Sequence, residues 1–467
     1  MLYRKKTTLF TGDTVENGEG KLTSYMLRRA VLAGLGSLIL LLTSAPARSD
    51  AGDLLWEDRV DLAGGNFILT AIAAAHKRVV AVGSAVGADG NSVLAVRAYA
   101  AQTGALLWED RLKTGSAAVA MNGLWVIVTG VTVDADGLRH GVVRAYVAKT
   151  GELMWQDTWP DGAEPQALDM DVFGLGAVVS GIANDSAGPR RLLVRAYFAG
   201  NGALLWEDHP VPSGYTAVVR VTNRSVAVRG TKAFVGASVR GDSACLIRAY
   251  DILQGTVLWE TIRPMFLSCT PAAVATNGKQ VLVSGGAGES PDFFFTQSYD
   301  AETGQFLWED RAASGSGFTN AALAVDTEGK NVFVAGWYLA PSSKPGLKEA
   351  FVVRSYDAET GALRWVDELS DPEFFGFKLL HAADLVVTRG RVIAVGQEVT
   401  GTGAWLTRAY DAETGALLWS SAAQVAPAAA YFTHQAVAVD NERIFVAGSG
   451  LNAQRNADFI VRALDAQ

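Results

Sequence analysis

Cysteine is scarce in this chain: its 467 residues include 2 cysteines and 13 prolines. Two cysteines exclude a disulfide-dense scaffold and a cysteine-rich zinc module. Basic residues are also in deficit, because 40 Lys and Arg stand against 48 Asp and Glu, a formal net charge of -8. Without a Lys/Arg stripe to replace counterions on a phosphate backbone, nucleic acid is excluded as the expected partner.

Signatures of common enzyme classes are lacking as well. The sequence contains no Gly-x-Ser-x-Gly, Walker or dinucleotide-binding motif. Asp134 to Gly137 matches the start of a calcium loop, but the glutamate at the twelfth position is missing, which favours a turn between strands. The histidines show no zinc-ligand spacing, so neither a metal ligand nor a catalytic residue is predicted. The five histidines are His76, His140, His209, His381 and His434.

The apolar run near the N-terminus, 30–42, is too short to cross about 30 Å of hydrocarbon comfortably. It follows Arg28-Arg29 and precedes Ala45-Pro46-Ala47, a small-x-small cleavage site. This pattern predicts an export signal over 1–47, cut near Ala47, with Met26 a candidate for the true start. An uncleaved membrane anchor is the alternative, and both the general and the twin-arginine export routes stay open.

Cleavage would leave residues 48–467 as a single domain with 34 basic and 45 acidic residues. We therefore expect an acidic exported protein, periplasmic or extracellular, with no membrane span after signal cleavage. No cysteine lies near the cleavage site, so a lipoprotein anchor is not expected. The protein is expected to be a monomer.

One phrase recurs along the whole sequence, in its clearest form Ala-Tyr-Asp-Ala-Glu-Thr-Gly-Ala-Leu-Leu-Trp at 409–419. Its copies follow one another at an interval of about 52 residues, and fixed periods of this size indicate repeat architectures. Eight of the twelve tryptophans occupy the last position of the phrase: Trp56, Trp108, Trp155, Trp206, Trp259, Trp308, Trp365 and Trp419.

Each repeat contains four strand-like segments. In the last repeat, 436–439, 443–448 and 459–464 are rich in branched and aromatic residues, with turn residues between them. No window shows a helical period. The Thr-Gly pair fits a hairpin before the tryptophan strand, because glycine reaches positive φ without penalty. Four strands in about 50 residues are typical of a β-propeller blade.

The two ends of the mature chain complete one copy of the phrase. Residues 463–467 begin it, and 51–58 carry its end, Leu-Leu-Trp-Glu-Asp. The N-terminal strand is therefore predicted to supply the outer strand of the last blade, which closes the ring and removes open sheet edges. The prediction is an all-β, eight-bladed propeller of four-stranded antiparallel blades.

The repeated tryptophans are predicted to be structural and to pack against small Ala and Gly positions of the neighbouring blade, since one residue per blade suits packing better than a single active site. An arginine also recurs two residues before the Tyr of the phrase, or before Leu464 in the last repeat, and folding the hairpin places Arg97 opposite Glu109 and Arg462 opposite Glu57. A ring of anion-binding arginines is the alternative. The arginines are Arg97, Arg144, Arg195, Arg248, Arg354, Arg408 and Arg462, with Gln297 in the remaining repeat.

Two further features are candidates for function or stability. Cys245, on a third strand, and Cys269, near the start of the next first strand, could form a disulfide between adjacent blades. Aromatic residues in the connections between blades could form a partial ring on the loop face, around the central opening, and bind a planar ligand or an extended partner segment. Alternatively they plug the channel mouth. These aromatics are Phe67, Tyr215, Phe266, Phe318, Phe375 and Phe432.

The motif Ala-x-Asp-x-x-Thr-Gly-x-x-x-Trp at 409–419 resembles the tryptophan-docking repeat of quinoprotein-type, PQQ-like propellers. The resemblance covers nearly the whole mature chain. It implies either of two functions, because this family contains PQQ-dependent alcohol dehydrogenases, which use pyrroloquinoline quinone with calcium, and non-enzymes such as the propeller lipoprotein of the outer-membrane β-barrel assembly machinery.

The first hypothesis is an exported, non-catalytic scaffold without a cofactor, which binds a protein or another ligand through its loop face. The alternative is a PQQ-dependent dehydrogenase or a degenerate relative that still binds PQQ and calcium. The chain lacks the adjacent cysteine pair that many of these enzymes carry against the cofactor ring.

Overall fold

The protein folds as an all-β ring of eight antiparallel sheets. The computed structural model describes 50–61, 66–86, 92–115, 118–134, 136–159, 166–184, 190–210, 217–222, 224–240, 244–265, 268–288, 293–313, 321–339, 349–370, 379–400, 402–425, 435–440, 443–452 and 456–466. Within these ranges no helix is long and apolar enough to cross a membrane. The predicted signal, 1–47, lies outside the described residues and remains a prediction.

Blades 1 to 4 follow one another along the chain, each with its first strand innermost. Blade 1 contains β2 (Asn66–Ala75), β3 (Arg78–Val86), β4 (Ser92–Ala100) and β5 (Leu106–Leu112). Blade 2 contains β6 (Thr114–Gly115) and β7 (Val119–Met121), which both pair with β8 (Trp125–Val133), then β9 (Arg139–Val147) and β10 (Leu153–Thr158). Blade 3 contains β11 (Gln166–Phe173), β12 (Gly176–Asn184), β13 (Arg190–Phe198) and β14 (Leu204–Asp208). Blade 4 contains β15 (Ala217–Arg220), β16 (Val226–Arg229), β17 (Lys232–Arg240), β18 (Ala244–Asp251) and β19 (Val257–Pro264).

Blades 5 to 8 repeat the same order. Blade 5 contains β20 (Ser268–Thr276), β21 (Gln280–Gly288), β22 (Phe293–Asp300) and β23 (Phe306–Ala313). Blade 6 contains β24 (Ala321–Glu328), β25 (Asn331–Leu339), β26 (Glu349–Asp357) and β27 (Leu363–Leu369). Blade 7 contains β28 (Leu379–Thr388), β29 (Arg391–Thr400), β30 (Thr402–Asp411) and β31 (Leu417–Gln424). Blade 8 contains β32 (Gln435–Asp440), β33 (Arg443–Leu451), β34 (Ala457–Asp465) and the N-terminal β1 (Leu54–Val60).

The N-terminal strand closes the ring, as the sequence predicts. β1 runs antiparallel to β34, with Glu57 opposite Arg462. The turn before β1 is bonded to the end of β34, because Gly52 N donates to Asp465 O at 2.9 Å and Asp465 N donates to Asp53 O at 3.0 Å. Each end of the chain therefore completes a sheet that the other end leaves open.

Hydrophobic cores lie between blades rather than at the centre of the ring. Each of the eight apolar clusters combines residues of two neighbouring blades. Val79 of blade 1, for example, shares a cluster with Phe445 of blade 8, and both side chains are fully buried. Sheets with two apolar faces can bury both only by stacking on neighbours, which explains why these strands, rich in β-branched residues, form a closed ring.

Candidate functional site

The repeated tryptophans join each blade to the next. The indole Nε1 of Trp56 donates to Ala101 O at 3.0 Å, and its ring lies over Gly104, where an added Cβ would be 2.6 Å from the indole. Gly104 has a φ of +71, so the turn and the stacked ring both require glycine here. The other indoles stack on the equivalent glycines, Gly151, Gly202, Gly255, Gly304, Gly361, Gly415 and Gly52.

Trp419 departs from this pattern at the interface between blades 7 and 8. Its ring still lies over Gly52, but its Nε1 has no hydrogen-bond partner among the described residues. The equivalent carbonyl, Ala466 O, accepts instead from the Arg391 guanidinium. The tryptophan contact at this interface therefore differs from that at the other seven.

A second connection between blades was not predicted from the sequence. Asp58, two residues after Trp56, accepts from the hydroxyl of Tyr99 at 2.7 Å and from the guanidinium of Arg97 at 3.2 Å in the next blade. Arg97 also pairs with Glu109 of its own blade, opposite which it lies in the sheet. We call the Asp of one blade with the Arg and Tyr of the next the interlock.

The interlock recurs at six of the eight interfaces. Burial raises the pKa of Tyr99 and Tyr146 far above the ordinary value, so these hydroxyls stay protonated and donate. The repeated arginines contact carboxylates at each of these interfaces, which does not favour an anion-binding ring. The six sets are Asp58 with Arg97 and Tyr99, Asp110 with Arg144 and Tyr146, Asp157 with Arg195 and Tyr197, Asp208 with Arg248 and Tyr250, Asp310 with Arg354 and Tyr356, and Asp367 with Arg408 and Tyr410.

A cavity of about 640 Å³ occupies the centre of the ring and is lined by residues of every blade. Most of its wall is Ala, Val, Leu and Ile. Arg224 of blade 4 is the basic residue of the wall and pairs with Asp384 of blade 7. This ion pair joins two blades that are not neighbours.

Carboxylates of the inner strands bind backbone amides of the next blade. Asp169 accepts from Val226 N at 2.7 Å, and Asp384 accepts from Val437 N at 2.9 Å. Burial raises the pKa of Asp169 to about 8 and that of Asp326, which binds the next blade in the same way, to about 6. These side chains hold neighbouring inner strands together.

This wall does not fit pyrroloquinoline quinone with calcium. The quinone is a polycarboxylate and needs cations, whereas Arg224 is paired with Asp384 and the other charged wall residues are carboxylates. Calcium takes six to eight oxygen ligands, but the wall carboxylates already accept backbone N–H groups. Among the described residues, no group of three or more His, Cys, Asp or Glu could hold a metal ion.

Two turns of each blade lie at the same end of the ring: the turn between its first and second strands and the turn between its third and fourth strands. We call this end the base face. In seven blades the two turns touch through one backbone hydrogen bond, which defines equivalent positions around the ring. The accepting residues, in blade order, are Lys77, Leu124, Leu175, Thr231, Lys279, Lys330 and Gly390.

The turns of the base face differ between the two halves of the ring. Blades 5 to 7 carry a glutamate directly after the donating turn residue: Glu302, Glu359 and Glu413. Blades 1 to 4 have Gln102, Lys149, Gly200 and Leu253 there. At or beside these turns, blades 2 to 4 expose four large apolar side chains, which we call the apolar sector: Leu124 (62%), Leu175 (54%), Phe198 (37%) and Leu253 (66%).

The structure describes only some of the remaining predicted site residues. Cys245 of β18 and Cys269 of β20 form a disulfide between blades 4 and 5, with their Cα atoms 5.3 Å apart. The six loop-face aromatics fall outside the described residues, except for the backbone of Phe67 in β2. The loop-face site therefore remains a prediction.

Comparisons with known proteins address the family and the fold. A family model described as "Outer membrane protein assembly factor BamB" matches 47–237, 139–352 and 298–467. A search of curated proteins by sequence finds no match.

Solved structures with a similar fold include enzymes. The quinohemoprotein alcohol dehydrogenase of Pseudomonas putida HK5 is 14% identical, with a TM-score of 0.53 over 89% of this chain and 76% of that one. A europium-containing methanol dehydrogenase is 12% identical, with a TM-score of 0.52 over 87% and 85%. Sqt1 of Saccharomyces cerevisiae is 10% identical, with a TM-score of 0.51 over 88% and 99%. At such identities the likeness concerns the fold alone.

Proposed function

The chain belongs to the PQQ-like propeller family described as outer membrane protein assembly factor BamB, and from this membership we propose that it is an exported, non-catalytic scaffold that binds a protein partner. The partner would present an apolar segment to the base face. The predicted signal over 1–47 supports export, and the loop face predicted from the sequence stays open as a second binding surface.

The observation that carries this proposal is the apolar sector. In a ring of equivalent repeats, a position that packing alone determines should hold the same residue type in every blade. Leu124 and Leu175 instead stand where Lys77, Lys279 and Lys330 stand in other blades. The turns that carry these two leucines touch, because Asn122 Nδ2 donates to Gly174 O at 3.0 Å, and adjoining exposed apolar side chains are typical of a surface that another protein covers.

Two arguments place a dehydrogenase second. Among the described residues of the channel wall, the arginine is paired and the carboxylates already accept backbone N–H groups, so they leave no free cation for a polycarboxylate cofactor. Its carboxylates and its arginine are used to connect blades. A scaffold needs rigidity of this kind, whereas an active site needs groups that are not already bonded to the frame.

Site-directed photo-cross-linking in cells tests the proposal at matched positions. A photoreactive phenylalanine replaces either Leu175 or Lys330, which occupy the same place in blades 3 and 6. We expect a defined cross-linked protein band at Leu175 and none at Lys330, and Leu175→Glu in a second copy should compete poorly. Equal cross-linking at both positions would contradict a specific apolar sector.

The non-catalytic half of the proposal has its own test. Purified protein is unfolded thermally with and without PQQ plus calcium, and dye-linked oxidation of short alcohols and sugars is measured. We expect no shift of the midpoint and no turnover, because a ligand that binds the native state would raise its stability. Dye reduction that depends on PQQ would overturn this half and leave the cross-linking result standing.

A further inference from the structure

The interface between blades 4 and 5 lacks the interlock. Thr261 stands where the interlock has Asp, and Gln297 stands where it has Arg. Tyr299 keeps its place, but its hydroxyl donates to Gln297 of its own blade at 2.7 Å instead of to the neighbouring blade. The connection that six other interfaces make is absent from these residues.

Other polar contacts remain where the interlock is missing. Arg263 of β19 pairs with Glu309 of β23 at 2.7 Å, with 27% and 10% of the two side chains exposed. Thr261 donates to Gly304 O at 2.8 Å. Together they stand in place of the two charge-assisted bonds that one half-buried Asp accepts from Arg and Tyr elsewhere.

The disulfide lies at this same interface. Cys245 belongs to β18 of blade 4 and Cys269 to β20 of blade 5, and they are the two cysteines of the chain. Cys245 is fully buried and Cys269 is 4% exposed. A covalent bond thus joins the two blades between which the interlock is missing.

The interface between blades 7 and 8 provides a comparison, because it lacks the interlock but has no cysteine. Ser421 replaces the Asp and Leu464 replaces the Tyr. Leu464 is only 3% exposed and packs in an apolar cluster with Val437 and Ile460. Apolar packing therefore compensates there, whereas Gln297 and Tyr299 keep the other exceptional interface polar.

We propose that the Cys245–Cys269 disulfide takes the place of the interlock between blades 4 and 5 and makes this interface the redox-sensitive joint of the ring. The bond spans 24 residues of sequence, and cross-linking a loop of that length restricts the unfolded chain. Reduction by dithiothreitol transfers two electrons and two protons to the cysteine sulfurs while the reagent becomes a cyclic disulfide. Blades 4 and 5 then separate more readily than the blades at any interlocked interface.

The test asks whether an interlock introduced by mutation offsets the effect of reducing the disulfide. Wild-type protein and the double variant Thr261→Asp/Gln297→Arg are unfolded thermally with and without dithiothreitol. For the wild type, reduction should lower the midpoint by about 4 °C, the size expected for a loop of this length in a domain of this size. Reduction should lower the midpoint of the variant by less than half as much, because the introduced aspartate would accept hydrogen bonds from Tyr299 and from the introduced arginine.

Hydrogen exchange measures the same joint without any substitution. On reduction, amides of β18 and β20 should exchange faster, while those of β3 and β8, in the interlocked blades 1 and 2, should not change. If reduction leaves both the midpoint and the exchange of β18 and β20 unaltered in the wild type, the proposal is wrong, whether or not the double variant folds.

Two matched variants serve as controls. Cys245→Ser/Cys269→Ser should behave like the reduced wild type and should be indifferent to dithiothreitol. Ser421→Asp/Leu464→Tyr alters the other exceptional interface and should leave the effect of reduction at its wild-type size. An equal benefit from this variant would show a general gain in stability and would overturn the assignment to one joint. None of these measurements depends on the partner proposed above.

Discussion

Individual carboxylates of the channel wall hold the inner strands of neighbouring blades together. Asp169 is buried and accepts from Val226 N, so it fixes the inner strand of blade 4 against that of blade 3. Asp326 of blade 6 acts in the same way toward Val387 of blade 7. Burial opposes ionisation and raises the pKa values, while the bonds from backbone amides oppose that shift.

The raised pKa of Asp169, about 8, predicts a pH-dependent stability. An unfolded aspartate titrates near ~3.9, so between the two values the folded protein binds the extra proton. The stabilisation is complete below the unfolded pKa and is lost as the pH rises toward 8. We expect the free energy of unfolding to fall between pH 5 and pH 8, and Asp169→Asn to make that fall shallower.

Chemical denaturation at several pH values measures this slope. Asp357→Asn is the control, because hydrogen bonds from Arg364 and Thr360 lower the pKa of Asp357 to about 2. Its contribution changes only in acid, so the slope above pH 5 should match that of the wild type. A wild-type slope in Asp169→Asn would mean that Asp169 is ionised in the fold.

Among the structural elements, the turn between third and fourth strands determines how the blades stack. Its glycine has positive φ and lies under the indole of the preceding blade. The sequence predicts the hairpin and the tryptophan packing because both recur at a fixed period. It does not reveal that the indole of the preceding blade covers this particular glycine. The two residues lie about 48 positions apart in the sequence and meet only after the propeller has formed.

Gly104→Ala tests the contact between the turn and the indole. The added Cβ would meet the ring of Trp56 at 2.6 Å, in a backbone conformation with φ of +71. We expect a loss of about 3 kcal/mol in stability, of which ~1–2 kcal/mol comes from the backbone and the rest from displacing the indole. Equilibrium unfolding in urea, with tryptophan fluorescence as the signal, measures the loss.

Gly137→Ala separates the two contributions. Gly137 has a similar φ of +81, but an added Cβ would meet nothing within 4 Å. It should therefore lose only the backbone part, about 1–2 kcal/mol. Equal losses in the two variants would show that the indole moves aside without cost.

Some features of the structure could be predicted from the sequence, and others could not. The strands, the blade count and the closing strand follow from local patterns, and Arg97 opposite Glu109 follows from folding one hairpin. The interlock partner Asp58 was missed although Trp-Glu-Asp recurs in the sequence, because its partners lie in the next blade. The pair Arg224–Asp384 has no local signal at all, since it crosses the channel between blades 4 and 7.

For the whole molecule, closure depends on a strand that the chain supplies from its other end. In seven blades a covalent turn joins the third strand to the fourth, whereas in blade 8 the link between β34 and β1 consists of hydrogen bonds and the stacking of Trp419 on Gly52. The ring is therefore weakest against loss of β1, which would expose the edge of β34 and the apolar face beneath it.

A circular permutant and a truncation make this dependence measurable. Joining Gln467 to Asp50 by a short linker, with new ends between Asp61 and Asn66, turns the closing contact into an ordinary hairpin. We expect this permutant to be at least as stable as the wild type and monomeric by light scattering, because loop-closure entropy is no longer required to dock β1. Deletion of 50–60 should instead give self-association through the exposed edge. A deletion that stays monomeric and equally stable would show that blade 8 does not need its fourth strand, and closure would then rest on the contacts of β32 to β34 alone.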